Sequence, residues 1–379
     1  MKCRRIVVVT GTRADYGIYT PVLRALARSG RFRIGLVVTG MHLVGEYGET
    51  VRSIKASRLP VVGTVDMLFA SNTREAMARS VGLATLEFAP ILRRTKPDII
   101  LLLGDRGEML AAATAALYLN IPVAHLHGGE DSGTVDDVAR RAITKMSYVH
   151  LASTKENARS IVDMGEPAQR VFVVGAPALD TIRELKPIAP HLLFRRHGLG
   201  GAHPILVFVM HPDTSEPTPF KGQIGSALDA LESFEGTIIV LGANADAGGL
   251  VFNRALRAFC ARRPETVFRE SLPHPEYLSW LACADVIVGN SSSGIIEAAS
   301  FGVPVVNIGT RQRGRQRSGN VLDVPYHAGR IRHAIEVACS DTPWRRRVRR
   351  MPNVYGDGRA SERIASVLSR VPLPPRMIE

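Results

Sequence analysis

The sequence predicts an α/β protein of two doubly wound parallel-sheet domains, and three observations carry that prediction. Short runs that are almost wholly apolar and β-branched alternate with stretches of helical periodicity. Strands apolar throughout are covered on both faces, as in parallel sheets. The alternation pauses over residues 175–201, a polar stretch punctuated by Pro177, Pro187 and Pro190, and then restarts. The 379 residues suit two domains of roughly 100–200 residues each.

In the first half, residues 6–10, 34–39, 61–65, 99–103, 122–125, 149–152 and 171–174 read as strands from their Val, Ile and Leu content. Between them, 21–29 places Val22, Leu23 and Leu26 at helical spacing and ends at Gly30. Residues 109–119 and 138–148 read as further helices. In the second half the strands are 205–210, 237–241, 286–288 and 303–308, with helices at 226–234, 252–262 and 275–282. The domains are set at 1–180 and 181–355, leaving 356–379 as a C-terminal helix or tail. Ligands of open α/β sheets bind outside the carboxyl ends of the strands, so a cleft lined by those loops is expected.

Composition excludes several classes. Hydrophobic residues make up 45 % and charged residues 22 %, which rules out disorder as the main state. No apolar run approaches the ~20 residues of a membrane span. Near the N-terminus only Ile6, Val7, Val8 and Val9 are consecutive apolar residues, too few for a signal peptide, so a cytoplasmic protein is expected. Cys3, Cys260, Cys283 and Cys339 form no C-x-x-C pair and read as buried reduced thiols. The net charge is +13, but 41 of the 48 basic residues are Arg and they run along the whole chain. The densest runs, 311–317 and 345–350, lack the interleaved aromatics of a nucleic-acid platform. The expected partner is an anionic small molecule, with no nucleic acid and no membrane; the run from Arg345 reads as a solvated helix.

The loops after the strands carry the chemistry. After the first strand comes Thr10-Gly11-Thr12-Arg13, where Gly11 allows a tight turn and Arg13 offers a planar fork to phosphate; an ordinary βα turn is the alternative. Asp105 and Arg106 follow the fourth strand, with Asp105 either an acid/base group or a helix cap. The fifth strand ends in H-x-H-G-G-E, placing His125 and His127 on one face by period-two spacing, with Glu130 and Asp136 close behind. Two His and a Glu suggest a metal, but the i,i+4 helical spacing of zinc hydrolases is missing, so acid/base work is preferred and no metal is expected. Crowded carboxylates here would raise one another's pKa. His211 directly follows a strand of the second half. Ser291, Ser292 and Ser293 enter a helix with hydroxyls and backbone N–H groups suited to phosphate, and Glu297 suits the two hydroxyls of a ribose. Arg311, past the next strand, can reach the same phosphates.

The motifs G-T-R-A-D-Y-G, G-D-R-x-E-M-L, H-x-H-G-G-E, D-D-x-x-R-R-A-I-T-K and S-S-S-G-I-I-E-A-x-S-F-G-V-P-V-V-N-I-G-x-R-Q-x-G-R occur in that order. From residue 6 to about 324 the chain resembles the UDP-N-acetylglucosamine 2-epimerases, in particular their hydrolysing branch; the short 131–135 connection also fits that branch. The resemblance implies a GT-B-like fold of two Rossmann-like domains facing a cleft, with the last segment packing back on the first domain. It implies UDP on the second domain, the sugar between the domains, and no metal or redox cofactor. It implies loss of the C2 proton with departure of UDP from C1, giving a 2-acetamidoglucal, then hydration to free N-acetylmannosamine for a sialic-acid-type pathway. Relatives imply a homodimer or homotetramer.

By the same resemblance, Asp105 and Asp136 match acid/base carboxylates, and Arg13 and Arg106 match groups on the diphosphate or sugar. His211 matches a His near the phosphates, Ser291 and Ser292 phosphate ligands, Glu297 the ribose ligand and Arg311 a phosphate-side Arg. His127 departs from the Glu of the N-acetylglucosamine enzymes. Relatives with H-x-H-G-G-E include enzymes acting on UDP-2,4-diacetamido-2,4,6-trideoxyglucose, for legionaminic acid, which is the alternative substrate. A GT-B glycosyltransferase is the alternative of a different class.

Overall fold

The structure is a computed structural model that describes residues 3–44, 54, 58–69, 73–131, 136–243, 248–340 and 342–374. The chain folds into two compact units. One comprises Met1–Asp131, Val135–Thr181 and Tyr355–Glu379, the other Ile182–Val354.

The first unit holds seven strands: β1 (Arg4–Thr10), β2 (Phe32–Thr39), β3 (Val61–Val65), β4 (Ile99–Leu103), β5 (Val123–Leu126), β6 (Val149–Ala152) and β7 (Val171–Val173). All pair in parallel, in the order β3-β2-β1-β4-β5-β6-β7. Every residue of β4 is buried, because helices cover both sheet faces. The strand order reverses between β1 and β4, and this switch point is where the loops open. Those loops carry Arg13 on one side and Asp105 and Arg106 on the other.

The second unit repeats the plan with β8 (Ile205–Val209), β9 (Thr237–Leu241), β10 (Thr266–Arg269), β11 (Val286–Gly289), β12 (Val305–Ile308) and β13 (Val321–Val324). The order is β10-β9-β8-β11-β12-β13, again all parallel. Its switch point lies between β8 and β11, whose loops carry His211 and the three serines.

The interior strands stand within a residue or two of the sequence expectation. Two edge strands, β10 and β13, escape it because they are only half-buried and include Arg269 and Asp323. The first helix begins at Arg13, well before the periodic stretch. Its start is fixed by a capping box in which Thr12 and Asp15 satisfy each other's backbone N–H groups. The 22-residue helix Arg74–Thr95 has no counterpart in the sequence reading.

The stretch 175–201 is not irregular. It contains the helices Ala178–Glu184 and Pro190–His197, the second started by Pro190 in its first turn. Asp180 of the first accepts hydrogen bonds from the backbone N–H groups of Ala360 and Ser361, at 2.9 and 2.7 Å, and so caps the helix Ala360–Arg370. Ile364, Ala365 and Leu368 of that helix share a core with Val22, Leu23 and Leu26. The Arg-rich run from Arg345 is not simply solvated either, since Arg345 Nη2 donates to Asp285 Oδ1 at 2.6 Å and Val348 is buried. The four cysteines are free and half-buried rather than buried.

Candidate active site

The first-unit site grows from β4 and β5. Gly104 leaves β4 at φ +74°, and Asp105 follows. The residue capping the next helix, Gly107–Tyr118, is Arg106 and not Asp105, so the helix-cap alternative for Asp105 falls away. β5 ends at Leu126 and His127 takes φ +63°. That conformation is strained for a residue with a Cβ and persists only where its surroundings over-determine it. It also breaks the period-two relation expected with His125.

The two histidines therefore part. His125 is fully buried between Thr144 Oγ1 at 3.1 Å and the Gly104 carbonyl at 2.8 Å, and burial pushes its pKa down to about 3. It holds β5 to its neighbours. A group neutral in the folded state but titrating near 6.5 when unfolded binds its proton only on unfolding. Acidification from about pH 6.5 to about pH 3 should thus cost the wild type stability at up to ~1.4 kcal/mol per pH unit from this residue. The H125N variant lacks that slope, so denaturant midpoints of the two forms should converge as pH falls through this window.

His127 instead stands among the candidate acids. Its Nδ1 lies 2.5 Å from Glu130 Oε1, and its buried Nε2 has no hydrogen-bond partner. A carboxylate accepts from Nδ1–H, so the neutral imidazole keeps its lone pair on Nε2. Glu130 is held in turn by Ser153, whose Oγ donates to Oε1 at 2.8 Å, and Asn157 Nδ2 donates to Ser153 at 2.7 Å. The glycine pair of the motif makes this possible: a Cβ on Gly129, at φ +73°, would stand 2.3 Å from the Asn157 carbonyl oxygen.

Arg140 joins the acids. It is 3 % exposed, on the helix Asp136–Lys145. Nη2 donates to Asp105 Oδ2, Nη1 to Glu130 Oε2 at 3.2 Å and to the His127 carbonyl at 3.3 Å, and Nε lies 3.8 Å from Asp137 Oδ1. The sequence reading expected crowded carboxylates that repel one another. A guanidinium stands among them instead and offsets that repulsion. Of the Asp136-Asp137 pair, Asp137 faces Arg140, while Asp136 is exposed at the start of the helix. Arg140, Ser153 and Asn157 were missed; the i,i+3 spacing of Asp137 and Arg140 was the available signal. Residues 132–135 of the connecting loop lie outside the described residues. Arg13 is exposed in the first helical turn. Gly11 is not at positive φ; its lack of a side chain makes room for Glu108.

The second-unit site is organised by buried Asn290. Its side chain accepts from the His211 N–H at 2.7 Å and donates to the His211 carbonyl at 2.8 Å. Its own carbonyl accepts from Arg311 Nη1 at 3.3 Å and from Gln312 Nε2 at 3.0 Å. His211, Arg311 and the serine loop are thereby brought together. Burial, then the Arg311 charge, push the His211 pKa down to about 3, so its imidazole is neutral at physiological pH. Ser291 caps the short helix Ser292–Ile296. The Ser293 hydroxyl is shared with Tyr277 and Ser291.

Glu297 is buried, not a surface acid, and His274 Nε2 lies 3.5 Å from its carboxylate. If Glu297 is the ribose ligand that the resemblance implies, replacing it with Ala should weaken UDP binding by about 1.5–3 kcal/mol, roughly 10- to 150-fold, in calorimetric titration. An unchanged Kd would remove Glu297 from the nucleotide site. Among the described residues no group of three His, Cys, Asp or Glu is arranged to hold a metal ion, and no helix is long and apolar enough to cross a membrane.

Residues 24–369 match the family model for UDP-N-acetylglucosamine 2-epimerase. The chain belongs to that family. The epimerase is 40 % identical over 375 residues to the UDP-N,N'-diacetylbacillosamine 2-epimerase (hydrolyzing) of Legionella pneumophila, covering 99 % of this chain and 98 % of the relative. It is 30 % identical to the UDP-N-acetylglucosamine 2-epimerase of Neisseria meningitidis, over 89 % of this chain and 88 % of the relative. Its fold matches the Methanocaldococcus jannaschii UDP-GlcNAc 2-epimerase solved with UDP-GlcNAc and UDP, at TM-score 0.79 and 20 % identity, with 96 % and 99 % of the two chains covered. As a member of this family the chain is an enzyme, and its two parallel sheets give the expected GT-B-like architecture.

Proposed function

We propose that this epimerase is hydrolysing and acts on UDP-2,4-diacetamido-2,4,6-trideoxyglucose, that is UDP-N,N'-diacetylbacillosamine, releasing UDP and the free C2-inverted sugar. The observation that carries the chemistry is the His127–Glu130 pair, with Nδ1 bound to a carboxylate and Nε2 buried without a partner. Such a pair is built to take a proton and to stabilise the imidazolium that results. The choice of sugar is supported by the 40 % identity to the Legionella enzyme.

In this reading the second unit holds UDP. Glu297 takes the ribose, while Arg311, Ser291 and Ser292 meet the diphosphate. His211 is a neutral hydrogen-bonding group beside Arg311, not an acid. Nε2 of His127 removes the C2 proton, the C1–O bond breaks, and UDP leaves with the electron pair, giving a C1=C2 glycal. Water then adds its hydroxyl to C1 while a proton returns to C2 on the opposite face. Asp105 and Asp136 serve this second half, one activating the water and one returning the proton. Arg13 and Arg106 meet the sugar or the phosphate.

The reading takes from the resemblance a homodimeric or homotetrameric, cytoplasmic enzyme for a sialic- or legionaminic-acid pathway, working without metal or redox cofactor. Its domains divide near residue 180, with 356–379 returning to the first.

Incubation with each UDP-sugar in heavy water, followed by proton NMR, tests it. Release of UDP and of the diacetamido sugar with deuterium at C2 is expected. Turnover of UDP-N-acetylglucosamine alone would move the substrate to the sugar of the Neisseria relative. Inertness toward both would favour a glycosyltransferase.

A further inference from the structure

Glu108 has no part in the chemistry above, yet three loops are arranged around its carboxylate. It stands in the first turn of the helix Gly107–Tyr118, its side chain only 4 % exposed. Its Oε1 lies 3.4 Å from both Nε and Nη2 of Arg106. Two glycines from other loops leave room for it. A Cβ on Gly11, after β1, would stand 2.8 Å from Oε1, and one on Gly40, after β2, would stand 2.6 Å from it. Gly40 also sits at φ +57°, where a side chain is strained. Met41, next along the β2 loop, places Sδ 4.0 Å from Arg106 Nη2.

A first-turn acid at a helix surface gains from the helix dipole and needs no such room. Burying a carboxylate instead costs solvation, which only a charged partner offsets. That partner is Arg106, whose own side chain is 44 % exposed. The contact takes one edge of the guanidinium, Nε and Nη2. Among the described residues Nη1 makes no hydrogen bond.

We propose that Glu108 is a positioning residue: from beneath, it fixes the inner edge of Arg106 so that the Nη1 edge is presented to an oxygen of the substrate. The inference rests on the reading of Arg106 as a substrate ligand and adds the residue that orients it. Gly11 and Gly40 are then conditions of the same device, because a methyl group at either would displace the carboxylate.

A double-mutant cycle on Arg106 and Glu108 tests it, with KM and kcat measured on whichever UDP-sugar is turned over. R106A is expected to raise KM at least tenfold. E108M, which keeps the side chain's volume and drops its charge, is expected to raise KM at least fivefold with kcat within threefold. The double variant should match R106A within twofold, since an absent guanidinium needs no orienting. E108Q retains an acceptor oxygen and should recover most of the KM. If E108M does not fold, E108D decides, because it keeps the charge but withdraws the oxygen from Arg106. KM factors that multiply in the double variant would overturn the proposal, as would a Glu108 variant that melts earlier with KM unchanged. R106A with an unchanged KM would instead sink the reading of Arg106 on which the proposal rests.

Discussion

Replacing Arg140 with methionine is expected to destabilise the first unit by about 3–5 kcal/mol. Methionine preserves much of the side chain's length and packing, so the loss reports the charge. Arg140 is buried, and its guanidinium reaches Asp105, Glu130 and Asp137. Breaking a buried ion pair by removing one partner leaves the other as an uncompensated charge, which is the expensive outcome. Here one cation is shared by three acids, of which Glu130 is only 6 % exposed. Lysine would not restore the site, since a single ammonium cannot reproduce a planar fork that reaches two carboxylates from separate nitrogens. Urea unfolding of R140M and R140K should therefore show midpoints well below the wild type. A loss under about 1 kcal/mol would mean that these acids are solvated or protonated in the folded protein.

Arg140 also marks how far the residues alone could be read. Interior strands were legible because burial on both faces demands unbroken Val, Ile and Leu, as in β4 and β9. The edge strands β3 and β7 kept enough Val to be read, but β10 and β13 were not, since they are only half-buried and admit Arg269 and Asp323. The placement of Asp105, His211 and Ser291 just past strand ends was legible, because loops after parallel strands gather at one end of the sheet. Groups that act through another side chain were not. Asn290 looks like one more small polar residue before a serine run, and its role exists only once β8 and β11 lie side by side. His125 and His127 looked equivalent two residues apart, and only the left-handed turn at His127 separates a ring hydrogen-bonded at both nitrogens from one whose Nε2 has no partner. The same turn explains why pattern alone failed there, since period-two reasoning assumes an extended backbone.

That separation leads to the largest kinetic effect expected of a single side chain. H127A should lower kcat by roughly 10²- to 10⁴-fold, the usual contribution of a positioned base. UDP affinity should be unchanged, because His127 acts at C2 of the sugar and is not among the nucleotide ligands proposed here. Deuterium incorporation at C2 should fall with kcat, since loss of that proton is the step affected. E130Q keeps an oxygen to accept from Nδ1–H but removes the charge that steadies the imidazolium, so its loss should be smaller, on the order of 10-fold or more. The two residues form one unit, with Nδ1 2.5 Å from the carboxylate. The double variant H127A/E130Q should then be no slower than H127A alone, as residues acting through one another are non-additive. If H127A retained kcat within tenfold, the base would lie elsewhere, and Asp105 would be the next to examine. If instead H127A weakened UDP binding as strongly as it slowed turnover, His127 would be a binding group. The strain at its backbone would then serve affinity rather than proton transfer.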